Sequence, residues 1–153
     1  MRAIVSSNEL DRRNQPSALR VVEELATATG TALLEDDFPS FARRFLFPHF
    51  VVTQSGDRQV NSLDELRITF DQVIDHYRLS GVDRMERYCV YGRFSDIETI
   101  ECAHETRLFQ QDKLVQQPFI AQSVLKLQSG EWKIYSTEYM IADSLRYLRA
   151  LTQ

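Results

Sequence analysis

The hydropathy of this chain changes period once, at Gly81, and that change limits the folds open to it. Before Gly81, Leu63, Leu66, Phe70, Val73, Ile74 and Tyr77 recur at the spacing of one helix face. After it the period drops to two. Runs rich in β-branched and aromatic residues follow at roughly 83–94, 97–109, 114–128 and 131–141. Polar turns separate them: Ser95-Asp96, then Gln110 to Lys113, then Gln128 to Glu131. Successive hairpins build a meander, so 82–141 reads as one long antiparallel sheet. Helices that precede such a sheet must cover one of its faces, which makes the class α+β.

The first part, 16–81, supplies those helices. Pro16-Ser17 open a helix that carries Leu19, Val22, Leu25, Ala26, Thr29 and Leu33 at helical spacing. Pro39-Ser40 start a short second helix, with Phe38, Phe41, Phe45 and Leu46 on its apolar side and Pro48 as its stop. His49 to Gln54 reads as a strand, with Gln59-Val60 as a short partner across Ser55-Gly56-Asp57. Ser62 and Glu65 have capping-box spacing and mark the start of the third helix. Residues 1–15 read as a loose polar arm and 143–151 as a short C-terminal helix. Without repeats or linkers, 1–153 is one domain, and 43% apolar residues suffice for its core.

Composition removes several functions. A net charge of -4 gives nucleic acid or an anionic membrane no attraction. No stretch approaches the roughly 20 apolar residues of a membrane span. The N-terminus lacks the apolar core of a signal peptide, so a cytoplasmic protein is expected. Cys89 and Cys102 fall in strands and read as buried, inert thiols. His49, His76 and His104 are scattered without metal-ligand spacing, and no Gly-rich phosphate loop occurs, so neither metal nor cofactor is expected. His49, just after Pro48, reads as exposed; His76 suits the C-terminal dipole of its helix.

Hairpin register sorts the meander into faces. If Phe109 opposes Leu114, His104 opposes Phe119 and Cys102 opposes Ala121. If Leu127 opposes Trp132, Ala121 opposes Glu138 and Phe119 opposes Met140. One face then carries Ile100, Cys102, His104, Thr106, Phe119, Ala121, Leu125, Trp132, Ile134, Ser136, Glu138 and Met140. It is the more apolar face and should pack on the helices. Its polar members gather at one end, around Cys102, His104, Ser136 and Glu138. His104 and Glu138 are the candidate catalytic pair. An acid in an apolar cavity has a raised pKa, and histidine titrates near neutrality. Ligand contact, or mutual satisfaction at the cone mouth, remains open for both. Tyr77, Tyr91, Cys102, Phe119, Ser136, Met140 and Trp132 are the candidate ligand contacts. Arg87 and Arg93 alternate with Tyr91, and an Arg on the inner face could hold a carboxylate bidentately.

The element order and two segments, "LLEDDFPSFARRFLFPHFVVTQSGDRQVNSLDELRITF" and "FIAQSVLKLQSGEWKIYSTEYMI", resemble the nuclear transport factor 2-like superfamily, including SnoaL-like cyclases and ketosteroid isomerases. The resemblance spans about Ala18 to Ile141. It implies a cone-shaped curled sheet wrapped around three N-terminal helices, a cystatin-like arrangement with a pocket at the open end. The isomerase base would fall near Thr53 and Gln54, neither of which is acidic. The resemblance therefore implies a pocketed domain that binds a hydrophobic or aromatic small molecule, as an isomerase, cyclase or dehydratase with other residues. The alternative is a non-catalytic ligand-binding or assembly subunit, like the small subunit of ring-hydroxylating dioxygenases. Ile120, Val124, Tyr135 and Tyr139 fall on the outer face, and a homodimer through that face is expected.

Overall fold

The computed structural model describes residues 17–53 and 55–140. The arm at 1–15 and the helix at 143–151 lie outside the described residues. Helix α1 is Ala18–Leu34, opened by Ser17, whose hydroxyl accepts the Arg20 N–H at 3.2 Å. Helix α2 is Phe38–Ala42, capped by Asp37. Strands β1 (Phe45–Thr53) and β2 (Gly56–Val60) form a hairpin. Helix α3 is Leu63–Ser80. Ser62 accepts the Glu65 N–H at 3.2 Å, and the Glu65 carboxylate reaches back to the Asn61 N–H. Gly81 ends α3 with a φ of 71°, a left-handed conformation that favours glycine.

Strands β3 (Arg84–Asp96), β4 (Thr99–Gln110), β5 (Lys113–Leu114), β6 (Phe119–Gln128) and β7 (Glu131–Tyr139) complete a curved, unclosed sheet. Its order is β2-β1-β7-β6-β4-β3, with β5 on β4. The sheet is mixed: β1 runs parallel to β7, and every other pair is antiparallel. The three helices pack on one face. Val21, Val22 and Leu25 of α1 meet Ile100, Cys102 and Leu125. Leu66, Phe70, Val73, Ile74 and Tyr77 of α3 meet Val51, Val60, Leu108 and Phe119. At Gly92 the strand backbone comes so close to α1 that a β-carbon would sit 3.0 Å from Val22.

The structure departs from the sequence expectations in three places. The second helix stops at Ala42, and Phe45 and Leu46 already belong to β1. Pro48 therefore lies within a strand. It occupies the break in pairing between Phe45↔Ile134 and Phe50↔Ser136, where no ladder donor is missed. The run 114–128 is not one strand: β5 is two residues long, and pairing resumes only at Phe119, after Pro118.

Register shows the third departure. Phe109 opposes Leu114 as expected, but beyond β5 the pairing has slipped by two, so His104 faces Ala121 and Thr106 faces Phe119. An even slip keeps every side chain on its face. On β7 the slip is odd. Leu127 opposes Trp132 and Leu125 opposes Ile134, but then Val124 opposes Ser136, leaving Tyr135 as a bulge. Past the bulge the faces exchange: Thr137 and Tyr139 turn inward, and Ser136 and Glu138 turn outward. A second bulge at Val90 does the same on β3, where Cys89 opposes His104 but Tyr91 opposes Ala103. Arg87 and Cys89 stay inward, while Tyr91 and Arg93 face out.

Candidate ligand site

Between the helices and the inner sheet face lies a cavity with about 70 Å³ open to the centre of a water-sized molecule. Most of its wall is apolar: Leu33, Phe41, Phe45, Val51, Val60, Leu66, Phe70, Val73 and Ile134. The polar members come from seven elements. Thr29 stands on α1, His49 on β1, Thr69 on α3, Arg87 on β3 and His104 on β4, with Ser123, Thr137 and Tyr139 from the last hairpin. Thr29, His104 and Ser123 also border an adjoining space of about 20 Å³ under α1. The wider groove of about 690 Å³ at Phe38, Leu46, Phe47 and Leu63 holds none of this cluster.

Each polar group has a physical reason for its place. Thr29 donates to the Leu25 carbonyl at 2.8 Å, which satisfies its proton inside the helix. Its oxygen accepts from Arg87 Nη1 at 2.8 Å, and the same nitrogen donates to the Ala26 carbonyl at 3.0 Å. Arg87 is thus moored to α1 by neutral acceptors. Its Nε is buried and has no hydrogen-bond partner among the described residues. Gly30 leaves the room for this side chain, since a β-carbon there would lie 3.5 Å from Arg87 Cδ and 2.8 Å from Met85 Sδ. Ser123 and Thr137 share a hydrogen bond of 3.3 Å. Thr69 accepts from Arg58 at 2.6 Å.

The two histidines are uncharged. Burial lowers the His49 pKa to about 4, against weaker opposition from the Tyr135 and Ile134 carbonyls. His49 Nδ1 lies 3.2 Å from the Tyr135 carbonyl, which can only accept, so Nδ1 carries the proton. Burial, reinforced by the Arg87 charge, lowers the His104 pKa to about 3. His104 lines both spaces, and neither ring nitrogen is hydrogen-bonded among the described residues. No carboxylate borders the cavity among the described residues, so Arg87 is its single charge. Nor does any group of three or more His, Cys, Asp or Glu among them lie placed to hold a metal ion.

Neither a family model nor a curated protein matches the sequence. Solved structures do match the fold. A domain with a cystatin-like fold from Nostoc punctiforme superimposes with a TM-score of 0.67 at 16% identity, covering 90% of this chain and 85% of that one. An NTF-2 like protein from Shewanella oneidensis gives 0.62 at 10% identity, over 78% of this chain and 96% of that one. The fold is nuclear transport factor 2-like. A ketosteroid isomerase-like protein from Erwinia carotovora shares it, with a TM-score of 0.58 at 17% identity over 83% of this chain and 99% of that one. Identities this low establish shared architecture, as the element order in the sequence had implied.

Within this NTF2-like cone the candidate residues separate. His104 lies on the cavity wall. Cys102 is buried beside it in the smaller space, where burial pushes its thiol up to about 12. Glu138 is exposed and paired with Gln122 on the outer face, so the expected His104–Glu138 pair does not form. The bulge at Tyr135 is the cause. Ser136 turns outward with it, and Met140, 43% exposed, follows. Tyr91 faces out because of the bulge at Val90. Tyr77 and Phe119 are buried core residues, and Trp132 packs on the α1 cluster, stacked edge-on with Phe94. None of these three lines the cavity.

His49 was expected at the surface and is 3% exposed. Thr53 is buried too, its hydroxyl donating to the Gly56 carbonyl at 2.7 Å. His76 is likewise buried and bonded through Nε2 to Gln116 at 2.9 Å, so it anchors the 115–118 connection. Tyr139 and Thr137, placed outward by the unbulged register, line the cavity. Thr29, Thr69 and Ser123 carried only the signal of polar residues at core-facing positions of otherwise apolar patterns.

Proposed function

We propose that the protein binds a compact, mainly apolar small molecule inside the cone, against the wall made by Arg87, His104 and Ser123. The observation that carries this is Arg87 Nε, buried without a hydrogen-bond partner among the described residues, beside the half-buried ring of His104 on the wall of a cavity. Buried polar groups are rarely left unpaired, because each costs about 1–3 kcal/mol. A ligand group would supply the partner.

Binding is favoured over proton transfer. A general acid or base works best with a pKa near the working pH. His104 at about 3 and His49 at about 4 are far from it, and the lining has no carboxylate. The isomerase, cyclase and dehydratase readings draw on such groups, whereas an assembly subunit needs no cavity. The test is methyl NMR of Ile134, Val51 and Val60 during titration with small neutral and charged fragments. Shifts confined to these residues, and abolished in Ser123→Leu, are expected. Unmoved methyls across the fragment panel would refute the reading.

We also propose the homodimer, with Phe50 and Tyr135 at its centre. Their rings stand 5.4 Å apart on the outer face, beside Lys126 over Tyr135. A monodisperse monomer at micromolar concentration in light scattering would rule it out.

A further inference from the structure

We propose that the ligand of this cavity is a short-chain monocarboxylate, its carboxylate held by Arg87 and a ring N–H of His104 and its tail lying among Ile134, Val51 and Val60. This deepens the binding reading above and rests on it. Arg87 faces the interior without a counter-ion. An internal guanidinium normally finds a carboxylate, because an uncompensated buried charge is costly. Here Ala26 and Thr29 occupy only Nη1, with neutral oxygens. The ion pairs formed by Arg44, Arg67, Arg78, Arg84, Arg93 and Arg107 show that acidic partners are abundant elsewhere in the fold. Thr106 stands directly opposite Arg87, and His104, diagonal to it on the same face of β4, also has no hydrogen-bond partner among the described residues. The free N–H of Arg87 Nε and the ring N–H of His104, on one wall, ask for an acceptor-rich, planar group.

Charge and size narrow the class. One guanidinium balances one negative charge; a dianionic phosphate would leave a net buried charge. At about 10–15 Å³ for each water-sized occupant, the cavity holds about five to seven non-hydrogen atoms. That is an acid of three to five carbons. The rest of the wall is aliphatic and aromatic, so the tail carries no further polar group.

The experiment is a calorimetric and NMR titration of the full chain with butyrate, its neutral isostere butyramide, and the straight-chain acids from acetate to decanoate. Butyrate is expected to bind at least about tenfold tighter than butyramide, the difference expected of a charge-assisted hydrogen bond. Affinity should rise about fourfold per methylene up to pentanoate and then fall. In Arg87→Met, with near-UV dichroism confirming the fold, the preference for the acid should vanish. On the native protein, butyrate should shift the Arg87 guanidinium nitrogen resonances and butyramide should not, which decides the matter if the variant fails to fold. Equal affinity for the two isosteres, unmoved guanidinium resonances, or affinity indifferent to tail length would overturn the proposal. If butyramide moves the Ile134 methyls and butyrate does not, the cavity still binds ligands and only the carboxylate assignment falls. If neither moves them, both readings fall.

Discussion

Acid should destabilise this protein well above the range in which its carboxylates titrate. His49 and His104 have ordinary values of 6.5 that fall to about 4 and about 3 in the fold. The folded values are the lower ones, so the unfolded chain binds more protons between them and 6.5. Stability is therefore complete above pH 6.5 and is lost as the pH falls towards 4 and 3. At pH 5 each unfolded imidazole is charged and each folded one is not. The difference is about 2 kcal/mol per histidine, or about 4 kcal/mol for the two, out of a total of about 5–15 kcal/mol for a typical domain. Most carboxylates titrate below this window and contribute little. Urea unfolding at half-unit steps from pH 7.5 to 5, on the wild type, His49→Gln and His104→Gln, isolates each contribution. Each substitution should flatten the pH slope by about 2 kcal/mol across the window, whatever it does to stability at pH 7.5. A wild-type slope that survives in either variant would mean that this ring is charged in the fold, and the account of the cavity as an uncharged wall beside one cation would fail.

Three further outcomes follow from packing and burial. Gly92→Ala should cost about 1–3 kcal/mol in urea unfolding, since its β-carbon meets Val22 at 3.0 Å and the Ala18 backbone at 3.3 Å; a neutral change would mean that α1 is free to lift away. Phe70→Ala should cost about 3–5 kcal/mol, because the ring is fully buried between Phe38 and Phe41; a loss under 1 kcal/mol would contradict the placement of α3. Cys102, 2% exposed with its thiol pushed up to about 12, should resist a disulfide reagent until urea unfolds the chain, and Cys89 should react first. Fast labelling of Cys102 in the native protein would contradict the burial of the α1 face.

The sequence by itself determined the architecture. The change of period at Gly81, the capping box at Ser62 and the three polar turns are local signals, each backed by a backbone preference, and the structure follows them. Period two also placed His104, because the slip after β5 is even and parity survives it. Only the tertiary structure decided the rest of the site. The bulges at Val90 and Tyr135 each add one residue, exchange the faces beyond them, and remove Tyr91, Ser136 and Glu138 from the interior while admitting Thr137 and Tyr139. A bulge is set by sheet curvature and by what packs across it, so no run of residues around Tyr135 announces it. The parallel union of β1 with β7 joins Phe50 to Ser136, 86 residues apart, and buries His49 in a way that its neighbour Pro48 does not foretell. Whether Arg87 met a carboxylate or stood alone depended on elements brought together from both halves of the chain.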